Sequence, residues 1–540
     1  MSRVWTHMSP RGMSGLVHSE SHFTDDKATV LRRETYRRLR RHWQFINELV
    51  LFDIDHHNSY GVNVYGGQQD PAFLHATSLY HPETVTRSFA HDASGDEPGL
   101  KDSEGRWDVR PHSGRIQTVT SNTLRLWKDV LGAPEWPSAP MVYTVNSAAA
   151  RTLTILSRSH RLGNLGLQFS RGWDESIDRQ QGRFRSEWGA GEWRDAILQG
   201  PHLHVSTPLY KSPNATMKHN QDWVSTDFEA LAVDAKPVTA YKPAGDRALY
   251  DSNYTHWRVT DDHGNEGIVA ARDHYRVAWR RQAANTGERT LIPALIVPGA
   301  AHVDGIFSAI APSGPLQTVV AAAVIGSLLS DFSVRSAPKN DIRAATINRL
   351  PLVPLDHQLL GDLVMLALRL NCVTEAYADL WAECWEAGFS SYAPILPRHD
   401  DRPIGPQWSA DTPLRRAVDR RNAQVEIDAL VALMLGVPVD DLCTIYRTQF
   451  AVLYGYDHRE YTYDRNGRLV PNQVLALWRK RGEPQDDTQM PAEDRTAVHP
   501  GSGIAYTYEL PFGILDREAD FRTAYAEFER RLAALESSDA

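Results

Sequence analysis

With 540 residues, 42% of them hydrophobic and 23% charged, the chain has the composition of an ordinary globular protein of about three or four domains, and not of a disordered one. A net charge of −9 argues against a polyanionic partner held by bulk charge alone, so the positions of the cations matter more than their sum. No run of about 18 apolar residues occurs, which excludes a simple membrane-spanning helix.

Met1–Gly15 lacks the apolar core of a signal peptide. The three cysteines, Cys372, Cys384 and Cys443, lack zinc-site spacing and read as core residues of a reducing compartment, so the expected location is the cytoplasm. Gly15–Thr24 reads as a strand end and a loop. Asp25 or Asp26 then caps a helix over Lys27–Trp43 that carries Arg32, Arg33, Arg37, Arg38, Arg40 and Arg41. Its sparse apolar positions predict a basic face turned to solvent or to a phosphate backbone. Strand signals follow at Phe45–Ile54, Asn63–Tyr65 and Pro71–Leu79, the last opening on Asp70-Pro71-Ala72-Phe73. This order fits the closing end of an α/β sheet. A helix over Thr120–Leu131 and a linker at Gly132–Pro137 close a first domain, residues 1–140.

From Met141 to Leu355, short strands, turns and aromatics dominate, predicting a β-rich α+β domain. It ends in a buried helix over Leu316–Phe332 and a strand at Ile347–Leu355. Residues 356–540 read as mainly helical, with periodic segments at His357–Asn371, Glu375–Ala387, Leu414–Leu435 and Asp440–Phe450. Lys480–Gly503 reads as a polar, flexible loop, and Arg517–Leu535 as a charged, solvent-lapped helix.

The chain contains no P-loop, no His-Glu-x-x-His and no Gly-x-Ser-x-Gly. His56-His57 beside Asp53 and Asp55 is a poor metal site, because neighbouring side chains on a strand or turn point apart. Three stretches concentrate cations beside polar or aromatic residues. Pro208–Lys218 holds Lys211, Ser212, Asn214 and Lys218. Arg272–Thr290 holds Arg276, Arg280, Arg289 and Thr290. Asp331–Asn340 holds Arg335 and Lys339. Together they are expected to form one DNA-facing surface, with the Asn285–Thr290 turn held by an apolar strand, Leu291–Val297, so that it presents a guanidinium to phosphates or base edges. No catalytic residue and no metal ligand is assigned.

Tyr275-Arg276-Val277-Ala278-Trp279-Arg280 with Thr286-Gly287-Glu288-Arg289-Thr290-Leu291-Ile292 resembles the target-recognition domain of type IIG restriction–modification adenine methyltransferases and their relatives in phage-defence systems. Leu328–Arg335 and Ile347–Pro351 look like the closing helix and strand of that domain. Ala423–Ala432, Gly436-Val437 and Asp440–Leu442 resemble the helical segment after it. Ser21–Thr24, Leu31-Arg32, Asn47–Leu49 and Leu51-Phe52 look like the last motifs of the family's methyltransferase sheet. The resemblance implies an α/β plus α+β chain: part of a Rossmann-like methyltransferase sheet at 1–140, a β-rich target-recognition domain at 141–355, and a C-terminal helical region at 356–540. It implies methyl transfer from S-adenosylmethionine to adenine N6 in a specific duplex sequence, with the base flipped out. The Gly-rich cofactor loop and the Asn-Pro-Pro-Tyr loop, which in the family precede this region, are not found. No cofactor is therefore expected in this chain, and the catalytic half is expected to be missing. The expected function is sequence-specific binding of double-stranded DNA. A subunit that completes an active methyltransferase with a separate catalytic polypeptide, or a degenerate interaction scaffold, are the alternatives.

Overall fold

The computed structural model describes residues 1–217, 222–260, 266–283, 287–337, 340–400 and 402–539. They gather into two compact units of mixed α/β structure. Residues 1–159, 332–338 and 435–455 form unit 1, and residues 160–331, 339–434 and 456–540 form unit 2. The sequence predicts three consecutive domains instead. The difference arises because the residues read as one helical region divide between the two units: Val439–Gln449 packs on Ser147–Leu156 in unit 1, whereas Leu360–Asn371 packs on Pro315–Gly326 and Ala417–Met434 in unit 2. Among the described residues no single helix is long and apolar enough to cross a membrane.

Unit 1 is organised around a five-stranded sheet of order β1-β3-β2-β4-β5, with β1 Ser14–Ser19, β2 Leu39–Ile46, β3 Ser59–Tyr65, β4 Ala72–Leu79 and β5 Gln117–Thr120. β2 runs antiparallel to β3 and parallel to β4. The helix expected over Lys27–Trp43 stops at Tyr36, and its second half is this central strand. Burial decides the outcome: Leu39, His42, Trp43, Gln44 and Phe45 are all interior, and two polar residues among them hide the strand from a hydrophobicity reading. His42 is satisfied through Glu20 Oε2 and His75 Nδ1, both at 2.9 Å, and Gln44 Oε1 accepts from the Ser78 amide. Burial pushes the His75 pKa well down.

The basic face also differs from expectation. Arg32 is interior and donates to the carbonyls of Ser138, His22 and Asp25, a neutral-carbonyl cage that fixes the start of its helix. Helix Ser121–Leu131 does follow its sequence signals: Thr120 caps it in a reciprocal box with Thr123, and Gly132 ends it in the left-handed conformation.

Unit 2 holds a four-stranded antiparallel sheet in the order Pro293–Ile296, Arg276–Arg280, Ile306–Ile310, Gln168–Arg171. Its edge strand does not offer a bare rim: the Leu295 amide donates to Asn371 Oδ1 and its carbonyl accepts from the Tyr377 hydroxyl, each at 2.9 Å. The apolar run expected as one helix is two, Pro315–Gly326 and Leu328–Arg335, bent by 61° at the break. Lys480–Gly503 is not a loop throughout. Met490 is buried, Arg495 is caged by carbonyls, and Thr496–Val498 pairs with Ala505–Thr507, closing a small core with Trp478, Leu510 and Phe512. The tail helix, Arg517–Asp539, buries Phe521, Ala524, Tyr525 and Phe528 and packs on Ala417–Met434.

Gly61 on β3 faces the buried Glu20 side chain, and a Cβ there would lie 2.2 Å from Glu20 Oε1 and 2.6 Å from Asn63 Nδ2. Gly61→Ala is predicted to destabilise the protein by about 1–3 kcal/mol through overpacking, read as a lower urea midpoint at unchanged slope.

Candidate nucleic-acid interface

The three cationic stretches fare differently. Pro208–Met217 forms a short strand and a turn. Lys211–Pro213 pairs antiparallel with Trp223–Ser225 as a short ribbon. Lys211 is half-buried with its ammonium 5.4 Å from the Tyr210 ring centre, and among the described residues no carboxylate lies within ion-pair distance of it. Asn214 shapes the turn: its Oδ1 accepts from the Thr216 amide and hydroxyl at 3.0 and 2.6 Å, an Asx turn. Ser212 sits half-buried between Lys211 and the turn. Lys218 lies outside the described residues, as does Lys339.

Arg272–Thr290 does not present its arginines, and this corrects the expectation of an outward turn. Arg276–Arg280 is an interior strand flanked on both sides. Arg276 is fully buried and donates to the Ala300 carbonyl, and burial lowers its pKa. Arg280 donates to the carbonyls of Gly200 and Leu203 at 2.9 and 3.1 Å. Arg289, 5% exposed, pairs through Nε with Asp331 Oδ2 at 2.8 Å and through Nη2 with the Gly326 carbonyl at 2.7 Å. The amide of the fully buried Thr290 donates to the same Asp331 oxygen at 2.9 Å. A guanidinium desolvated this far needs a fixed counter-charge, and the acid 42 positions later in the chain supplies it. Arg335, in unit 1, lies 4.3 Å from the Phe450 ring centre and donates to the Gln449 carbonyl.

A surface that sequence reasoning passed over completes the picture. Phe184–Ala190 pairs with Val238–Pro243 as a second ribbon, bulged between Thr239 and Tyr241. Arg185, Ser186, Glu187 and Trp188 are exposed on it, Trp188 by 46%. The Trp188 indole donates to the Pro213 carbonyl at 2.7 Å, tying this ribbon to the one bearing Lys211. The only sequence signal was the glycine punctuation at Gly182, Gly189 and Gly191. A third ribbon, His256–Thr260 with Glu266–Ala270, exposes Ile268.

Glu288, in the turn before Arg289, points into a cavity of about 390 Å³. Burial raises its pKa, but hydrogen bonds from His204 at 3.0 Å and Tyr461 at 2.6 Å outweigh that and bring it down to about 2. Asp55, His56 and His57 bring ligand atoms within 4.8 Å of one another, closer than the adjacent-side-chain argument allows, but all three are exposed. The turns from strand to helix after β1, β4 and β5 contain no glycine, so these residues do not fit the backbone cradle of a nucleotide-bearing cofactor.

The sequence matches no family model and no curated protein. Among solved structures it is similar to the type IIL restriction–modification enzyme MmeI, solved in complex with DNA, at 8% identity and a TM-score of 0.33 over 83% of this chain and 50% of that one. It is also similar to the type IIG restriction endonuclease BpuSI, at 10% identity and a TM-score of 0.22 over 80% of this chain and 48% of that one. The chain thus spans about half the length of each of these structures.

Arg289→Ala is predicted to cost about 3–5 kcal/mol of stability by removing the guanidinium that compensates the buried Asp331 carboxylate, measured by urea unfolding. Glu288 has its folded pKa below its unfolded one. Its stabilising contribution is therefore present above about pH 4.5 and is lost as the pH falls towards 2. Glu288→Gln is predicted to flatten the acid limb of a stability–pH profile over that window.

Proposed function

We propose that the chain recognises double-stranded DNA as the target-reading part of a restriction–modification-type adenine-N6 methyltransferase, with the paired ribbons of unit 2 as the reading surface. The observation that carries this reading is the Trp188–Pro213 hydrogen bond. It fixes an exposed strand with Arg185, Ser186 and Trp188 beside a strand whose Lys211 has no acidic partner among the described residues. A two-stranded ribbon fits the major groove, a lysine without a counter-ion suits a phosphate, and the polar ribbon side chains suit base edges. The ordered sequence segments described above support the family. In this reading Phe45 to Leu79 belongs to the closing end of the methyltransferase sheet, and the S-adenosylmethionine site with its Gly-rich and Asn-Pro-Pro-Tyr loops lies outside these 540 residues.

The test is a gel-shift titration of the purified chain against a random-sequence duplex pool at several salt concentrations. Binding is predicted to weaken linearly in log–log form as salt rises. Lys211→Ala is predicted to weaken binding to all sequences alike and to reduce the salt slope by about 1. No shift at low salt across the pool would refute the proposal.

A further inference from the structure

The 390 Å³ cavity of unit 2 lies within the range of small-molecule sites, about 300–1,000 Å³. Its charges fall into two sets. One set is neutralised in place. Glu229 takes both Arg468 nitrogens at 2.8 and 2.9 Å and Arg416 at 3.1 Å, and Glu288 takes His204. Asp227 is saturated: one oxygen accepts from the Ser502 and Tyr506 hydroxyls at 2.6 and 2.9 Å, the other from the amides of Glu229 and Ala230.

The other set has no ion-pair partner among the described residues, although the charges of Asp400 and Asp411 act on Arg415 from further away. Arg415 donates only to carbonyls, those of Ala410, Phe228 and Leu231. Arg420 donates to the carbonyls of Leu414, Ser206 and Leu370 and to the Thr207 hydroxyl, with its guanidinium 4.8 Å from the Phe228 ring centre. Among the described residues neither has a carboxylate within ion-pair distance. Burial lowers the pKa of both, and the charge of Arg415 adds to the effect at Arg420, which falls to about 9. Two like-charged, partly desolvated guanidiniums that line one cavity and act on each other favour an anion that joins them. The 18-residue helix Ala417–Met434 also begins at the cavity wall, which adds its positive end to the same place. Tyr210, Tyr461, Tyr463, Tyr506 and Tyr508 line the rest and give flat surfaces for a planar ring.

We infer that this cavity binds a nucleotide, with its phosphate held between Arg415 and Arg420 at the head of the Ala417–Met434 helix and its base against the tyrosines. The nucleotide is either a free mononucleotide or one residue of a single strand. The site adjoins the Lys211 ribbon at Tyr210 and Ser225, but binding of a mononucleotide is read without a duplex, so its failure and that of duplex recognition are distinguishable.

The test uses calorimetric titration of the whole chain with adenosine 5′-monophosphate, adenosine, inorganic phosphate and a short single-stranded oligonucleotide. Saturable binding of the monophosphate is expected, with adenosine weaker by at least about tenfold, because a charge-assisted pair of hydrogen bonds is lost. Arg415→Gln should lower monophosphate affinity by at least about tenfold, whereas Arg343→Gln, at an exposed arginine, should leave it unchanged. An oligonucleotide that competes with the monophosphate identifies a strand as the source, and one that does not compete identifies the free nucleotide. Should Arg415→Gln fail to fold, the ratio of monophosphate to adenosine affinity in the unmodified chain decides alone. Equal affinities for monophosphate and adenosine, or no saturable binding of the monophosphate and oligonucleotide at millimolar concentration, would overturn the inference.

Discussion

The buried pair between Arg289 and Asp331 sets the shape of unit 2. Asp331 receives the guanidinium and the Thr290 amide on one oxygen, so the turn entering the sheet and the helix beyond the break are held at one point. The break is part of the same joint. At Gly326 the carbonyl is released from the helix ladder to take Arg289 and Gln424. One residue past Ser327, the Leu328 amide donates to Asp428 at 2.7 Å. Burial pushes the Asp428 carboxyl up, and the nearby Arg289 charge opposes that. A straight helix would leave Asp331, Asp428 and Arg289 without this mutual compensation in an interior that punishes unpaired charge.

This constraint also determines which surface is free to meet a partner. Arginines that anchor strands to carbonyls and acids are spent on folding, as Arg276, Arg280 and Arg289 are in unit 2 and Arg32 is in unit 1. What unit 2 leaves exposed includes two-stranded ribbons tied at Trp188 and Pro213, which carry an indole, the Arg185–Glu187 ion pair and a lysine, Lys211, with no acidic partner among the described residues.

The legible parts of the fold were those with local signals. Thr120 and Gly132 bracket a helix by capping, and Ala72–Leu79 starts directly after Pro71 as a short strand run. The parts that escaped depend on partners far away in sequence. Leu39–Ile46 looked like the end of a basic helix because His42 and Gln44 find buried partners in Glu20, His75 and Ser78. The 480–503 stretch looked polar because its core contacts, Met490 and Ala497, are single residues without period. In the site, an arginine on a strand has the same letter whether it faces a phosphate or an aspartate. Only Asp331, remote in the chain, decides for Arg289. Lys211 was named as a candidate from the polar, proline-bounded loop that carries it. Trp188 was not, since an indole is as common in a core as on a surface.

The central claim is that the ribbons, and not the arginine strand, face DNA. Photocrosslinking to a duplex substituted with 5-bromouracil, followed by peptide mapping, tests it directly. Crosslinks within residues 184–190 and 211–213 are the predicted result. Crosslinks confined to residues 276–290, or none above the level given by a protein that does not bind DNA, would contradict it.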